Sequence, residues 1–466
     1  MTHFKTFFLS CLLALAAFPA TAEGADFTVD GFDYSITSTT SLTVEVVSGP
    51  NQAVVTIPSS VVFKNRTFRV TGISYDAFQN YTKLRSVDMP SITYIQDGYY
   101  NRYDGRPKGA FTGCSNLSDV NMPVATSIGD YAFSGCNALA SISLPAATTI
   151  DYGAFSDCNS LTSVSLPAAT SIGDYAFSSC DALTSISLLV ATSIGDNAFY
   201  DCKALASISL PTATSIGDIA FCECKSLASV SLPAATSIGS DAFGGCETLT
   251  SVSLPAATSI GWEVFQGCKT LTSVSLPVAA SIGERAFEGC NALASVSLPA
   301  ATSIGDYAFQ DCEALTSVSL PVATTIGYYA FSDCSSLCDI YVGDQPARCS
   351  DDTFSKITYA TTTLHVPVGC ASKYKAARTW NNFAFISEDY DPTGIKSTKV
   401  NDVKICTDNG SVQLTGLKEG EKVLFYSLDG KLIGAQKANS GTISITTSEP
   451  VVICKMGGKS IKILVK

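Results

Sequence analysis

A cysteine recurs every 22 residues from Cys114 to Cys334, eleven times without a slip. A phenylalanine keeps the same beat three residues earlier, from Phe111 to Phe331. A fixed period of this length demands stacked supersecondary units, each burying its apolar side against the next, and excludes one closed core. Written out, the unit is I-G-x-x-A-F-x-x-C-x-x-L-x-S-V-S-L-P-x-A-T-S. Irregular relatives flank the eleven: Tyr81 takes the cysteine slot after Phe78, and Phe354 comes one residue late. The expected fold is a β-rich solenoid, a right-handed coil of about thirteen 22-residue units.

One coil can be read residue by residue. In the run from Leu139 to Pro145, Ile142 and Leu144 alternate inward between Ser141 and Ser143. That is a short strand of period two, stopped by a proline that cannot donate to the next ladder. A second extended piece, Thr-Ser-Ile, ends at a glycine such as Gly129, Gly173 or Gly195. Glycine there suits a turn of positive φ, with Asp151 as the substitute in one coil. The Ala-Phe-x-x-Cys-x-x-Leu stretch is expected to return as a tight helical or 3₁₀ turn. Stacked coils place neighbouring strands about 4.8 Å apart.

This unit resembles the BspA-like leucine-rich repeat family over about residues 66–388, through L-x-x-I-x-L-P and I-G-x-x-A-F-x-x-C in eleven consecutive copies. The stretches TVDGFDYSIT and VVTIPSSVVFKNRTFRVTGI resemble that family's β lead-in, and TLHVPVGCASKYKAARTWNNFAFI resembles its closing turn. Leu189 in a proline slot and eleven extra residues between Ile95 and Ala110 are the departures. The resemblance implies adhesion to host or microbial proteins or glycans.

Lys5, an apolar run from Phe7 to Phe18, and Ala20-Thr21-Ala22 read as a secretory leader over residues 1–22. No later stretch approaches the roughly 18 apolar residues of a membrane span. The expected localisation is therefore secreted or cell surface. A β cap follows over 23–75, then the solenoid with its closing cap over 76–390, a linker over 391–399, and a small β-sandwich over 400–466. Within that last segment, S-L-D-G-K-L at 427–432 and G-G-K-S-x-K-I-L-V-K at 457–466 resemble C-terminal sorting domains of type IX secretion. An Ig-like stabilising module is the other reading. Net charge is −2 over 23–75, −16 over 76–391 and +5 over 392–466, so the solenoid would repel nucleic acid.

Catalytic motifs are missing. Past the leader there is one histidine, His365, read as a strand-edge residue. No nucleophile elbow, phosphate loop or dinucleotide fingerprint is present, so neither an enzyme nor a cofactor is expected and a hydrolase is disfavoured. One thiol per coil, with no CxxC pair, argues against zinc. The column cysteines read as small apolar plugs, since translated coils point their thiols in parallel. Off the column, Cys222, Cys338, Cys349, Cys370, Cys406 and Cys454 could pair, Cys338 with Cys349 being nearest in sequence. Asp174, Asp196 and Asp218 share one slot on consecutive coils and read as a solvated acidic face.

Two surfaces remain for partners. The strand face is a regular serine array, poor in the aromatic and arginine anchors that carry binding energy. On the opposite edge stand Tyr131, Tyr152 and Tyr175, which read equally as contacts for a partner or as rings packed over the neighbouring coil. Beside them the insertion Gln96–Gly109 holds Tyr99, Tyr100, Arg102, Tyr103 and Arg106. These eight residues are the candidate ligand contacts for an extracellular protein or glycan. The alternative role is a structural spacer that binds nothing.

Overall fold

The computed structural model describes residues 24–390, 398–400, 403–408, 411–427, 431–447, 451–456 and 459–464. The leader read over 1–22 and most of the linker read over 391–399 lie outside the described residues, as do parts of both sorting-like motifs. The chain divides into two compact units, Met1–Ser275 with Ala286–Cys290, and Leu276–Arg285 with Asn291–Lys466.

The first unit begins with antiparallel strands Phe27–Val29, Phe32–Ser38 and Thr43–Ser48. The third runs parallel to Arg66–Ile73, which hands the parallel direction on to Tyr94–Ile95 and then to a row of two-residue strands ending at Ser237–Ile238. The lead-in thus covers a sheet end that would otherwise be an open template for pairing. Ser141–Ser143 through Ser273–Ser275 form a seven-stranded parallel sheet in strict register, Ser141 beside Ser163 and Ile142 beside Val164. Serines face out and the Ile or Val between them faces in, as the alternation demands.

Between these strand rows the phenylalanines stack. From Phe78 to Phe287 successive rings lie 5.1–5.5 Å apart and within 17° of coplanar. The column cysteines are buried and free, as the plug reading expects. Their thiols also find polar partners: Cys158 Sγ donates to the Phe133 carbonyl at 3.2 Å, and Cys246 Sγ to that of Phe221 at 3.2 Å. Each coil therefore adds buried Phe, Leu, Ile, Ala and Cys, roughly 1.5–3 kcal/mol for each large side chain.

The return segment is a chain of turns rather than the expected helical or 3₁₀ piece. Alternate amides split their bonding: Phe133 and Gly135 donate to Ala154 and Ser156 of the next coil, while Ser134 and Cys136 donate three residues back. Left-handed residues at Tyr131 (φ 53°) and Gly135 (φ 70°) impose that alternation.

The glycine slot also differs from expectation. Gly173 and Gly195 have negative φ, and positive φ falls two residues later, on Tyr175 and Asn197. Glycine is needed because a Cβ would run into the coil before: at Gly195 it would lie 2.6 Å from the Asp174 amide nitrogen. In the one coil with Asp151 in that slot, Gly153 takes the positive φ.

In the second unit, parallel strands Ser295–Ser297, Ser317–Leu320, Asp339–Val342, Thr363–Pro367 and Phe385–Tyr390 form one sheet. Its ring stack ends at Phe354, 5.4 Å from Phe331, under an aromatic lid of Trp380 and Phe383. The lid is pinned by Trp380 Nε1 donating to the Ala347 carbonyl at 2.7 Å and by the Tyr374 hydroxyl donating to Gly343 at 2.9 Å. Beyond residue 398, two four-stranded antiparallel sheets share an apolar core that includes Val412, Leu414, Phe425, Ile443 and Val452. This is the small sandwich the alternating pattern predicts.

Candidate functional site

The insertion Gln96–Gly109 folds as a two-stranded hairpin, Tyr99–Asn101 against Arg106–Lys108, with Tyr100 opposite Pro107 and Tyr99 opposite Lys108. Its turn is built from its own polar groups. The Tyr103 amide donates to Asn101 Oδ1 (2.9 Å), the Arg106 amide to Asp104 Oδ1 (3.1 Å), and the Tyr100 hydroxyl to the Gly105 carbonyl (2.9 Å). Lys108 Nζ lies 3.0 Å from Asp104 Oδ2. Hydrogen bonding from Lys108, and the charges of Lys108 and Arg106, hold the Asp104 carboxyl below its usual range. Gly98 anchors the base by donating to the Asp130 carbonyl at 2.9 Å.

Tyr99 and Tyr100 are about half exposed, and Tyr103 is fully exposed at the tip beside Arg102. Tyr99 packs edge-on against Tyr75, ring centroids 5.7 Å apart. Tyr131, Tyr152 and Tyr175 form a ladder along the same edge, with ring centroids 5.2 Å apart at each step. Burial, then the neighbouring Tyr152, Asp130 and Tyr100, raise the Tyr131 phenol above its ordinary value. Between the second hairpin strand and the coil before it lies a recess of about 270 Å³, lined by Gln79, Asn80, Asp104, Arg106, Pro107, Lys108 and Thr112.

All eight candidate contacts therefore belong to one edge of the first unit. A second aromatic group stands in the other unit, where Tyr307 stacks on Tyr329 at 5.3 Å beneath the Arg285 guanidinium. The serine face carries a shallow groove of about 350 Å³, lined by Ser185–Ser187, Ser207–Ser209 and Ser229–Ser231.

Other sequence candidates have structural partners. Asp174 Oδ1 accepts from the Asp196 amide (2.8 Å), Asp196 from the Asp218 amide (2.8 Å), and Asp218 from the Ser240 amide (2.7 Å). The aspartate row is thus a set of clips between coils, a role the acidic-face reading misses. Recurrence of Asp directly after the turn glycine was its signal, since a short carboxylate suits an amide at a turn.

His365 is not at an edge. Its strand, Thr363–Pro367, lies between two others, and Nδ1 and Nε2 approach Asp389 at 2.7 Å and Asp339 at 2.9 Å, with Tyr341 stacked at 4.4 Å. Partial burial disfavours the imidazolium, but the two carboxylates outweigh it and hold the pKa above the ordinary histidine value. The pairing offered for Cys338 and Cys349 is not made. Both are free; Cys338 is exposed and donates to the Ser336 carbonyl, while burial pushes Cys349 up to about 12. Among the described residues no group of His, Cys, Asp or Glu is arranged to hold a metal ion.

A search of curated proteins found no match. A leucine-rich repeat protein from Bacteroides ovatus is 29% identical, covering 68% of this chain and 94% of its own, with a TM-score of 0.44. A leucine rich cell surface protein from Faecalibacterium prausnitzii is 27% identical, covering 68% of this chain and 94% of its own, with a TM-score of 0.43. Residues 107–213, 192–299 and 258–372 match the BspA type leucine rich repeat region, in six copies. The chain belongs to the BspA-type leucine-rich repeat family.

Proposed function

We propose that the protein is exported, associates with the cell surface and works by binding an extracellular protein or glycan, without catalysis. The observation that carries this reading is the hairpin at Gln96–Gly109, which interrupts an otherwise invariant stack with exposed tyrosine and arginine. Those residue types dominate binding hot spots, and a long insertion on a rigid scaffold is a usual place for function. The apolar leader and the sorting-like tail support export. No helix among the described residues is long and apolar enough to cross a membrane.

The test is capture of extracellular matrix proteins and arrayed glycans by three forms of the protein. These are the intact chain, a chain lacking residues 97–108, and a chain with Ser207→Lys, Ser229→Lys and Ser251→Lys on the strand face. Capture should be lost with the hairpin and survive the lysines. The reverse result assigns binding to the serine face, and capture by none of the three identifies a spacer.

A further inference from the structure

We propose that the hairpin edge binds an acidic glycan, the recess taking a sugar carboxylate and the tyrosine ladder taking the sugar rings that follow. The inference rests on the hairpin being the binding site and adds the ligand's chemistry.

Three observations converge on it. First, the recess of about 270 Å³ is sized for a single small group rather than a protein side. Besides Arg106 and the Asn80 amide, its lining holds Asp104 paired with Lys108, the Gln79 amide donating to the Pro107 carbonyl at 3.4 Å, and the Thr112 hydroxyl donating to the Tyr131 carbonyl. A planar guanidinium meets a carboxylate through two parallel hydrogen bonds, and amides and hydroxyls suit sugar hydroxyls. Lys108 is already engaged with Asp104, whereas no ion pair within 4 Å involves the Arg106 side chain among the described residues.

Second, residues 76–391 carry −16, while the hairpin brings Arg102, Arg106 and Lys108 against Asp97 and Asp104. A carboxylate is repelled along most of the coil and drawn to the hairpin.

Third, Thr112 at the recess donates to the Tyr131 carbonyl at 2.7 Å, and Tyr131 is the first rung of the ladder that continues through Tyr152 and Tyr175. Tyr152 and Tyr175 are each more than a third exposed. Rings repeating at one step per coil suit a polymer that repeats its own ring, because the C–H face of a pyranose packs on an aromatic face.

Isothermal titration of the full chain at low ionic strength, with three defined hexamers, tests the idea. Hexagalacturonate has rings and carboxylates, maltohexaose has rings alone, and hexaglutamate has carboxylates alone. Hexagalacturonate should bind, with the other two at least about tenfold weaker. Arg106→Gln should weaken it about tenfold with the unfolding temperature unchanged, and Tyr152→Ser about tenfold with a small fall in that temperature, since it also loses two ring contacts. No binding of hexagalacturonate, equal binding of hexaglutamate, or indifference to both substitutions overturns the proposal. If hairpin-dependent capture of another partner persists in that case, the glycan assignment fails and the hairpin reading stands. If capture never depended on the hairpin, both fail.

Discussion

Replacing Phe221 by alanine removes one ring from the middle of the stack. Phe221 is fully buried, with Phe199 and Phe243 centred 5.2 and 5.3 Å away on either side. Phenylalanine-to-alanine changes in cores cost about 3–5 kcal/mol, the spread reflecting how far each site collapses. Here collapse is resisted. The flanking rings sit on return turns bonded coil to coil, Phe199 N–H to the Ala220 carbonyl and Phe221 N–H to that of Ala242, and the serine strands of the same coils keep fixed register, so the gap cannot close without breaking ladders spaced about 4.8 Å apart. Two ring contacts are also forfeited, each worth about 0.5–1.5 kcal/mol beyond area. The upper half of the range, about 4–5 kcal/mol, is the expected local cost. Because each coil contacts only its neighbours, that cost should stay near the missing ring. Hydrogen exchange read by mass spectrometry should show amides of residues 199–265 exchanging on the order of a thousandfold faster, with the lead-in at 27–73 unchanged. A uniform rise through the lead-in, or a local change of under about tenfold, would refute the nearest-neighbour reasoning.

The remaining expectations concern the polar parts of the stack. Burial raises the thiols of Cys158 and Cys334 to about 12, so native protein should react with a maleimide at exposed Cys338 on the order of a thousandfold faster than at the column, and denaturant should level the rates. Asp218→Ala removes the acceptor of the Ser240 amide and should cost about 1 kcal/mol, measured by denaturant titration, whereas Asp218→Asn should restore most of it. His365 has a raised folded pKa, so its contribution is complete below its unfolded value near 6.5 and fades as pH rises through the folded one. Asp389 has a lowered folded pKa despite partial burial, so its contribution is present above about 3.8 and fades as pH falls below it. Protection of residues 363–390 from exchange should therefore peak in mildly acidic solution, and His365→Gln should abolish the loss on the alkaline side.

The solenoid was legible because its evidence is periodic: one inward Phe, one Cys and one alternating Ser-Val-Ser per 22 residues leave little choice of fold. The special edge was legible for the opposite reason, as eleven residues where the pattern allows none. Its internal form was not, because a hairpin closed by Asn101, Asp104 and Gly105 lacks the two-residue turn that marks hairpins in sequence. Glycine misled because it answers two needs, positive φ and the absence of a Cβ, and sequence does not say which. Asp218 and His365 were misread because their partners lie a coil or more away, the Ser240 amide in one case and Asp339 and Asp389 in the other. Aspartate beside glycine looks the same whether it faces water or a neighbouring amide.

The strict register of the serine strands has a genetic corollary. Every coil offers its successor the same ledge that its predecessor offered it, Ser on Ser and Ile or Val on Ile or Val. An in-frame gain or loss of 22 codons within the first unit would create no foreign junction, only one more or one fewer of an existing kind. Nearly identical coding repeats are also the substrate for unequal recombination. Copy number is then the cheapest trait for such a gene to vary, while the hairpin, lying before the first regular coil, keeps its place beside the lead-in at any length.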